Sequence, residues 1–323
     1  MKVPDTLIQI LKEEDRFLIA SHVNPEGDAV GSALALAEAL WQMGKTAKVF
    51  LKDGVPEVYE FLPDREVVET TLDKNFLEDA VFVLVDCNEP KRTGLEDQDI
   101  VTDKTVVIDH HETRKDFGRI KWIEPESPAT GMMIYYLLKA LGVEFSKEIA
   151  TNLYVAIAVD TGTFRYDNTT SETLRVAAEL IDLGVKPGEV AQKIYESWPT
   201  NRFQLLCEML NTLEIERNGS VSVAITTITE DMFRKTGTGV EDTDDFSNFA
   251  RMLRDVDVSV MLRQDGPNKW KGSMRGKGKV NLAEVAKALG GGGHRDAAGF
   301  NVEGTLEEVK ERLKEALKKA AIK

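Results

Sequence analysis

Cysteine is scarce in this 323-residue chain: Cys87 and Cys207 are the whole complement, and they lie far apart. That excludes a disulfide framework and a closed cysteine zinc site. It fits a reducing compartment, so a cytoplasmic protein is expected. Long apolar runs are missing as well. No segment reaches the ~20 residues of a membrane span, and Met1–Lys12 is an amphipathic stretch without the apolar centre or cleavage site of a secretory signal. Positive charge is in deficit, with 41 Lys and Arg against 55 Asp and Glu, a net of −14. Such a surface does not grip long duplex nucleic acid, where basic residues supply most of the affinity. The deficit is uneven: residues 1–213 carry −15 and residues 214–323 carry +1. Nucleophile elbow, Walker loop and dinucleotide fingerprint are all absent. No apolar stripe decides between a monomer and a homodimer.

What is present divides into two alternating patterns. Apolar runs at Arg16–Ser21, Thr46–Leu51, Ala80–Asp86 and Thr105–Asp109 read as buried strands. Helical spacing follows at 28–43, 129–141, 147–159, 171–183 and 188–197. Continuous apolar strands alternating with helices predict an α/β domain with a mostly parallel, doubly wound sheet over residues 1–197. A helix over 198–213 is expected to join it to a smaller mixed α/β domain over 214–323. The second domain has strands near 220–228, 256–264 and 269–274 and helices near 281–289 and 305–320.

The first domain concentrates one kind of chemistry. Ligands of open α/β sheets bind beyond the carboxyl ends of the strands. Those ends here carry His22, with Glu26 and Asp28 in the turn beyond it, then Asp86, then Asp109, His110 and His111. Asp160 ends the apolar helical stretch LYVAIAVD. The chain has only four histidines, and three of them stand in these acidic turns. An isolated loop histidine is usually surface decoration, but three in such company are not. Mixed imidazole and carboxylate donors suit Mn, Fe or Zn, and two-metal sites bring such ligands together around a bridging carboxylate.

These segments resemble the DHH phosphoesterase family, whose eponymous triplet stands here as Asp109-His110-His111. HVNPEGDAVGS, LVDCNEPKRTG, DHHE and VDTGTFRY are similar to its ordered catalytic motifs. SMRG and GGGGHRDAAG resemble the accessory domain, called DHHA1, of its nanoRNase and pAp phosphatase branch. The resemblance implies two divalent cations, most simply Mn²⁺. His22, Glu26 and Asp86 would hold one, and Asp28, Asp86, His110 and Asp160 the other. Asp109 would support His110, and His111 would act near the leaving group. Glu26 departs from the family, which usually has Asp there. Asn24-Pro25 would stiffen this turn, and Gly27 would give it a conformation other residues resist.

On the substrate side, Gly290–Gly293 run into His294, and backbone N–H groups of such a stretch favour anions. The alternative is a helix cap followed by a loop. Gly291, Gly292, Gly293 and His294 are therefore candidate phosphate or nucleotide contacts. Arg275 and Ser273 join them from the SxR position, and Arg92 from the Asp86 motif. Metals on one domain and an anion site on the other would suit a substrate of one or a few nucleotides. The expected activity is in-line hydrolysis of nanoRNA or pApA-type dinucleotides to mononucleotides, with pAp as a further substrate. Cyclic di-AMP hydrolysis is the near alternative. A nucleotide sensor with a degenerate metal site, disabled by Glu26, is the alternative from another class.

Overall fold

The computed structural model describes residues 1–95, 104–111, 117–218 and 220–321; Glu112 of the DHHE motif lies outside them. The chain divides into two compact units, Met1–Ser197 and Trp198–Lys323.

The first unit opens with α1 (Asp5–Glu13), β1 (Arg16–Ala20), α2 (Gly27–Gln42), β2 (Thr46–Phe50), β3 (Val68–Glu69), α3 (Lys74–Asp79) and β4 (Val81–Val85). It continues with β5 (Thr105–Asp109), β6 (Ile120–Ile123), α4 (Thr130–Leu141), α5 (Lys147–Asp160), α6 (Ser171–Asp182) and α7 (Pro187–Tyr195). The strands form one sheet in the order β3-β2-β1-β4-β5-β6, and every pairing is parallel. Period-two alternation assigns its faces. Phe17, Ile19, Val81, Val83, Val85, Val106 and Ile108 pack with the residues of α2, α4 and α5, whereas Leu18, Ala20, Phe82, Leu84 and Val107 pack with Phe76 and Leu77 of α3. Burial on both faces is why these strands read as unbroken apolar runs. The strand order reverses between β1 and β4, which are neighbours in the sheet. Their carboxyl ends therefore open onto the switch-point crevice where ligands of such sheets bind.

Helix α2 is buried along most of its length, from Gly27 to Leu40. Three glycines let α4 and α5 approach the same crossing. A Cβ on Gly27 would stand 2.7 Å from Val159 Cγ2, one on Gly31 2.3 Å from the Asn152 carbonyl oxygen, and one on Gly131 2.6 Å from Ala156 Cβ. Gly27 thus serves close approach rather than an unusual backbone angle. The left-handed residue of the turn is Asn24, at φ 51°. Gly31→Ala is expected to destabilise the protein by about 2–3 kcal/mol. The helix-propensity gain of up to ~1 kcal/mol is smaller than the overpacking against a rigid backbone oxygen. Urea unfolding of the two proteins side by side measures it.

The second unit contains α8 (Thr200–Leu210), β7 (Glu214–Asn218), β8 (Val221–Ile228), α9 (Glu230–Thr236), β9 (Val258–Gln264) and β10 (Lys269–Gly276). It ends with α10 (Leu282–Ala288), β11 (Gly292–Gly293), β12 (Ala297–Glu303) and α11 (Leu306–Ala321). Its sheet runs β11-β12-β10-β9-β8-β7, parallel at β8–β9 and antiparallel elsewhere. Side chains of α10 and α11 cover one face through Leu282, Val285, Val309 and Leu313. Helix α8, expected as a joining segment, belongs to this unit: Leu205, Leu206 and Met209 pack with Ile228, Phe246 and Met261. Strands β3, β6, β7, β11 and β12 escape the sequence reading. β3 and β11 are two residues long, β6 and β7 are short edge strands, and β12 is rich in Ala and Gly.

Candidate metal centre and anion-binding face

Strand β1 ends at Ala20, and the Ser21 hydroxyl donates to the Val85 carbonyl at 2.7 Å, tying it to the end of β4. His22 follows. Asp86 follows β4 in a left-handed conformation, φ 54°, while its N–H still donates to the Ile108 carbonyl. A left-handed non-glycine residue costs roughly 1–2 kcal/mol and is retained where the side chain must be aimed. The aim here is inward, and Asp86 is only 4% exposed. Asp28 sits in the first turn of α2 and is 2% exposed. Asp160 is the last residue of α5.

The imidazoles fix what lies between these groups. A carbonyl can only accept, so His110 Nδ1 donates to the Ser127 carbonyl (3.1 Å) and His22 Nδ1 to the Val23 carbonyl (2.9 Å). In its neutral form each ring then turns the lone pair of Nε2 towards carboxylate oxygens. His22 Nε2 lies 3.5 Å from Asp86 Oδ2. His110 Nε2 lies 3.5 Å from Asp86 Oδ1, 3.5 Å from Asp160 Oδ2 and 3.8 Å from Asp28 Oδ2. Lone pairs facing carboxylates repel unless a proton or a cation lies between them. Among the described residues, the ion-pair partners of these three aspartates are imidazoles rather than lysines or arginines. Burial, with Asp86 and Asp160 beside it, pushes Asp28 well above the usual carboxylate range. Burial and the charges of Asp86 and Glu26 likewise push Asp160 up to about 6, against the opposing pull of His110. A site so short of positive charge fits divalent cations, and the donor set of two imidazoles and three carboxylates suits a borderline metal.

Asp109 corrects one expectation. It holds His111, not His110: its Oδ1 accepts from His111 Nδ1 at 2.7 Å, and Asn88 Nδ2 donates to its other oxygen. Burial would raise Asp109, but the His111 hydrogen bond and charge outweigh it and leave it lowered. The same bond raises His111. With Nδ1 committed to Asp109, His111 does not offer that atom to a metal, although it lies 3.7 Å from Asp86 Oδ1. His110 takes its orientation from the Ser127 carbonyl instead. Two triplets, one of Asp86, His110 and His111 and one of Asp28, His110 and Asp160, bring their ligand atoms within 4.8 Å of one another; Glu26, the exposed N-cap of α2, acts on Asp160 by charge and belongs to neither close ligand triplet. The Arg92 guanidinium is exposed, and its charge acts on His22 and His111.

Reading the sequence alone misses Thr130, Gly131, Ser127 and Asn88. The signal for the first two was a helix start at Ala129, whose side chain cannot cap; an outside acceptor had to satisfy the first N–H groups.

In the second unit the tetraglycine run is more structural than expected. Gly290 is left-handed (φ 82°) and ends α10, with Gly290 N–H bonding the Lys287 carbonyl and Gly291 N–H that of Ala286, a Schellman cap. Gly291 and Gly293 press against the β12 backbone, where a Cβ would meet the Gly299 carbonyl oxygen at 2.1 Å and Ala298 Cα at 2.5 Å. The His294 N–H is bound to the Ala297 carbonyl. An open cradle of free N–H groups is therefore not what these residues form; they build the edge hairpin β11–β12. What remains open is Gly292, where a Cβ would meet nothing, beside the exposed His294. Register places Gly292 opposite Gly299, Gly299 opposite Ser273, and Ala297 opposite Arg275. Ser273 and Arg275 are half-buried and share one face of β10. Lys277 and Lys279 are engaged elsewhere, on the Leu253 carbonyl and on Asp257.

Fold and site together define a two-part α/β protein with a metal-type cluster at the switch point of a parallel sheet. Residues 16–157 match the DHH family, N-terminal domain, and residues 221–323 match the DHHA1 domain. The bifunctional oligoribonuclease and PAP phosphatase NrnA of Thermus thermophilus is 37% identical over 96% of this chain and 92% of its own. The protein of the same name from Bacillus subtilis is 27% identical over 92% of each chain. An exopolyphosphatase-related protein of Bacteroides fragilis superposes with a TM-score of 0.90 at 27% identity, covering 98% of this chain and 96% of that one. The chain belongs to the DHH family. Among the described residues, no helix is long and apolar enough to cross a membrane.

Proposed function

We propose that this protein is a Mn²⁺-dependent phosphodiesterase that hydrolyses very short oligonucleotides, nanoRNA and pApA-type dinucleotides, to mononucleotides, and that it also removes the 3′-phosphate of pAp. The observation that carries the reading is the convergence of Asp28, Asp86 and Asp160 on the Nε2 atoms of His22 and His110 at the switch point. The substrate class rests on similarity along the whole chain to proteins named as oligoribonucleases and PAP phosphatases.

Asp28, Asp86, His110 and Asp160 would hold one cation, and His22, Asp86 and Glu26 the other, with Asp86 shared. When bound, such cations supply Lewis acidity and a water of lowered pKa. The chain's own residues do the rest. Ser127 and Val23 fix which ring nitrogen each ligand histidine presents. Asp109, itself held by Asn88, keeps His111 oriented and favours its protonated form, which suits a group that donates to a departing oxygen. Arg92 adds a cation for a phosphate. Arg275 and Ser273, with Gly292 and His294 on the adjoining hairpin, form a face on which a guanidinium can meet a phosphate by two hydrogen bonds. Gly291 and Gly293 shape the hairpin that presents His294.

The test offers pApA, a five-nucleotide RNA, pAp and cyclic di-AMP to the Mn²⁺-loaded protein and follows AMP by chromatography. The linear substrates are expected to be cleaved rapidly and cyclic di-AMP slowly, with all activity lost in EDTA and restored by Mn²⁺. Absence of AMP from every linear substrate at saturating Mn²⁺ would refute the assignment.

A further inference from the structure

Helix α4 begins without a cap of its own. Its N-cap is Ala129, which makes no side-chain bond. Asp28, on α2, does the capping from outside: its Oδ2 accepts the Thr130 N–H at 2.7 Å and its Oδ1 the Gly131 N–H at 2.8 Å. Both carboxylate oxygens are thereby fixed, and Ser32 Oγ donates to Oδ1 at 3.0 Å. The Thr130 hydroxyl turns the other way and donates to Asp86 Oδ1 at 3.0 Å. Thr130 is 0% exposed, so no water competes for these bonds.

One residue therefore grips two metal-type carboxylates from different elements, Asp28 by its backbone and Asp86 by its side chain. Asp86 Oδ1 is the oxygen turned towards His110, while Oδ2 faces His22. We propose that Thr130 is a positioning residue for the metal pair. Its hydroxyl sets the rotation of the Asp86 carboxylate, so that one oxygen serves each cation at a fixed spacing from Asp28. This rests on the reading of the cluster as a two-metal site, but not on which substrate is hydrolysed. Outer hydrogen bonds of this kind are typically worth 10–100-fold in metal affinity or activity.

The test is calorimetric titration of Mn²⁺ into the metal-free full-length protein and into Thr130→Val and Thr130→Ser. Valine keeps the shape and the backbone N–H but loses the donor, and serine keeps the donor. Thr130→Val is expected to lose about 10–100-fold in affinity for at least one Mn²⁺, with Thr130→Ser within a few-fold of the parent. At saturating Mn²⁺, substrate KM should stay unchanged. Should valine crowd the site and unfold the protein, Thr130→Ala removes the hydroxyl without added volume and gives the same readout. Parental Mn²⁺ affinity in the donor-less variant, or an equal loss in Thr130→Ser, overturns the proposal. Mn²⁺ binding is scored without turnover, so failure to cleave any nucleotide would count against the proposed function and leave this test standing.

Discussion

Asp86→Ala is expected to lower turnover of a short oligonucleotide by at least about 10³-fold, some 4 kcal/mol of transition-state stabilisation, at any Mn²⁺ concentration. Asp28 and Asp160 each face one imidazole, that of His110. Asp86 faces both ligand imidazoles, since its two oxygens address His22 and His110 separately and the Thr130 hydroxyl holds it between them. Losing it removes the shared donor and leaves two half-sites, so excess metal does not restore the geometry. Glu26→Ala is the internal contrast. Glu26 is exposed at the helix N-cap, outside the close ligand triplets. Its loss should weaken the first cation and be recovered in part by raising Mn²⁺. Steady-state rates over a Mn²⁺ series separate the two behaviours. A parental rate in Asp86→Ala would remove the basis for a shared-carboxylate site.

The first sheet was legible because burial on both faces leaves an unambiguous pattern: VFVLV is wholly apolar up to Asp86, and TVVID is apolar from Val106 to Ile108 before Asp109, where the chemistry starts. The cluster was legible for the same reason, since polar residues that end apolar strands share one edge of the sheet. Three things were not legible. The family resemblance implied that Asp109 supports His110, its neighbour in the chain. Side chains of consecutive residues at a strand end point to opposite sides, so Asp109 turns to His111, two residues on. The tetraglycine run read as a cradle because glycine serves both close approach to a ligand and close approach to the chain itself. Only the register of β11 on β12 shows that Gly291 and Gly293 serve the second use. Thr130 was hidden because its role depends on contacts 44 residues away at Asp86 and 102 residues away at Asp28, which no local pattern encodes.

Metal-free protein should become more stable when one of the clustered charges is removed, and Asp160→Asn is the cleanest case. Asp160 is half-buried and pushed up to about 6 by desolvation and by the neighbouring charges of Asp86 and Glu26, with His110 and His111 opposing. The folded-state value lies above the unfolded one, so the folded protein binds the proton more tightly. Ionising Asp160 then opposes folding: stability declines as pH rises from about 4 to about 6 and stays lower above that. Asparagine keeps the shape and removes the charge. In EDTA at pH 7 the variant is expected to melt several degrees above the parent, a gain on the order of 2 kcal/mol, and the difference should vanish near pH 4. Added Mn²⁺ should reverse the order, because the cation stabilises the protein only as far as it is bound and the variant has lost a donor. Thermal melts at pH 4 and pH 7, with EDTA and with Mn²⁺, test both signs. If Asp160→Asn melts below the parent in EDTA at pH 7, the carboxylate is held by a positive partner rather than crowded by negative ones. The cluster would then have its counter-charge without a metal, and the argument for cation binding at this end of the sheet would fail with it.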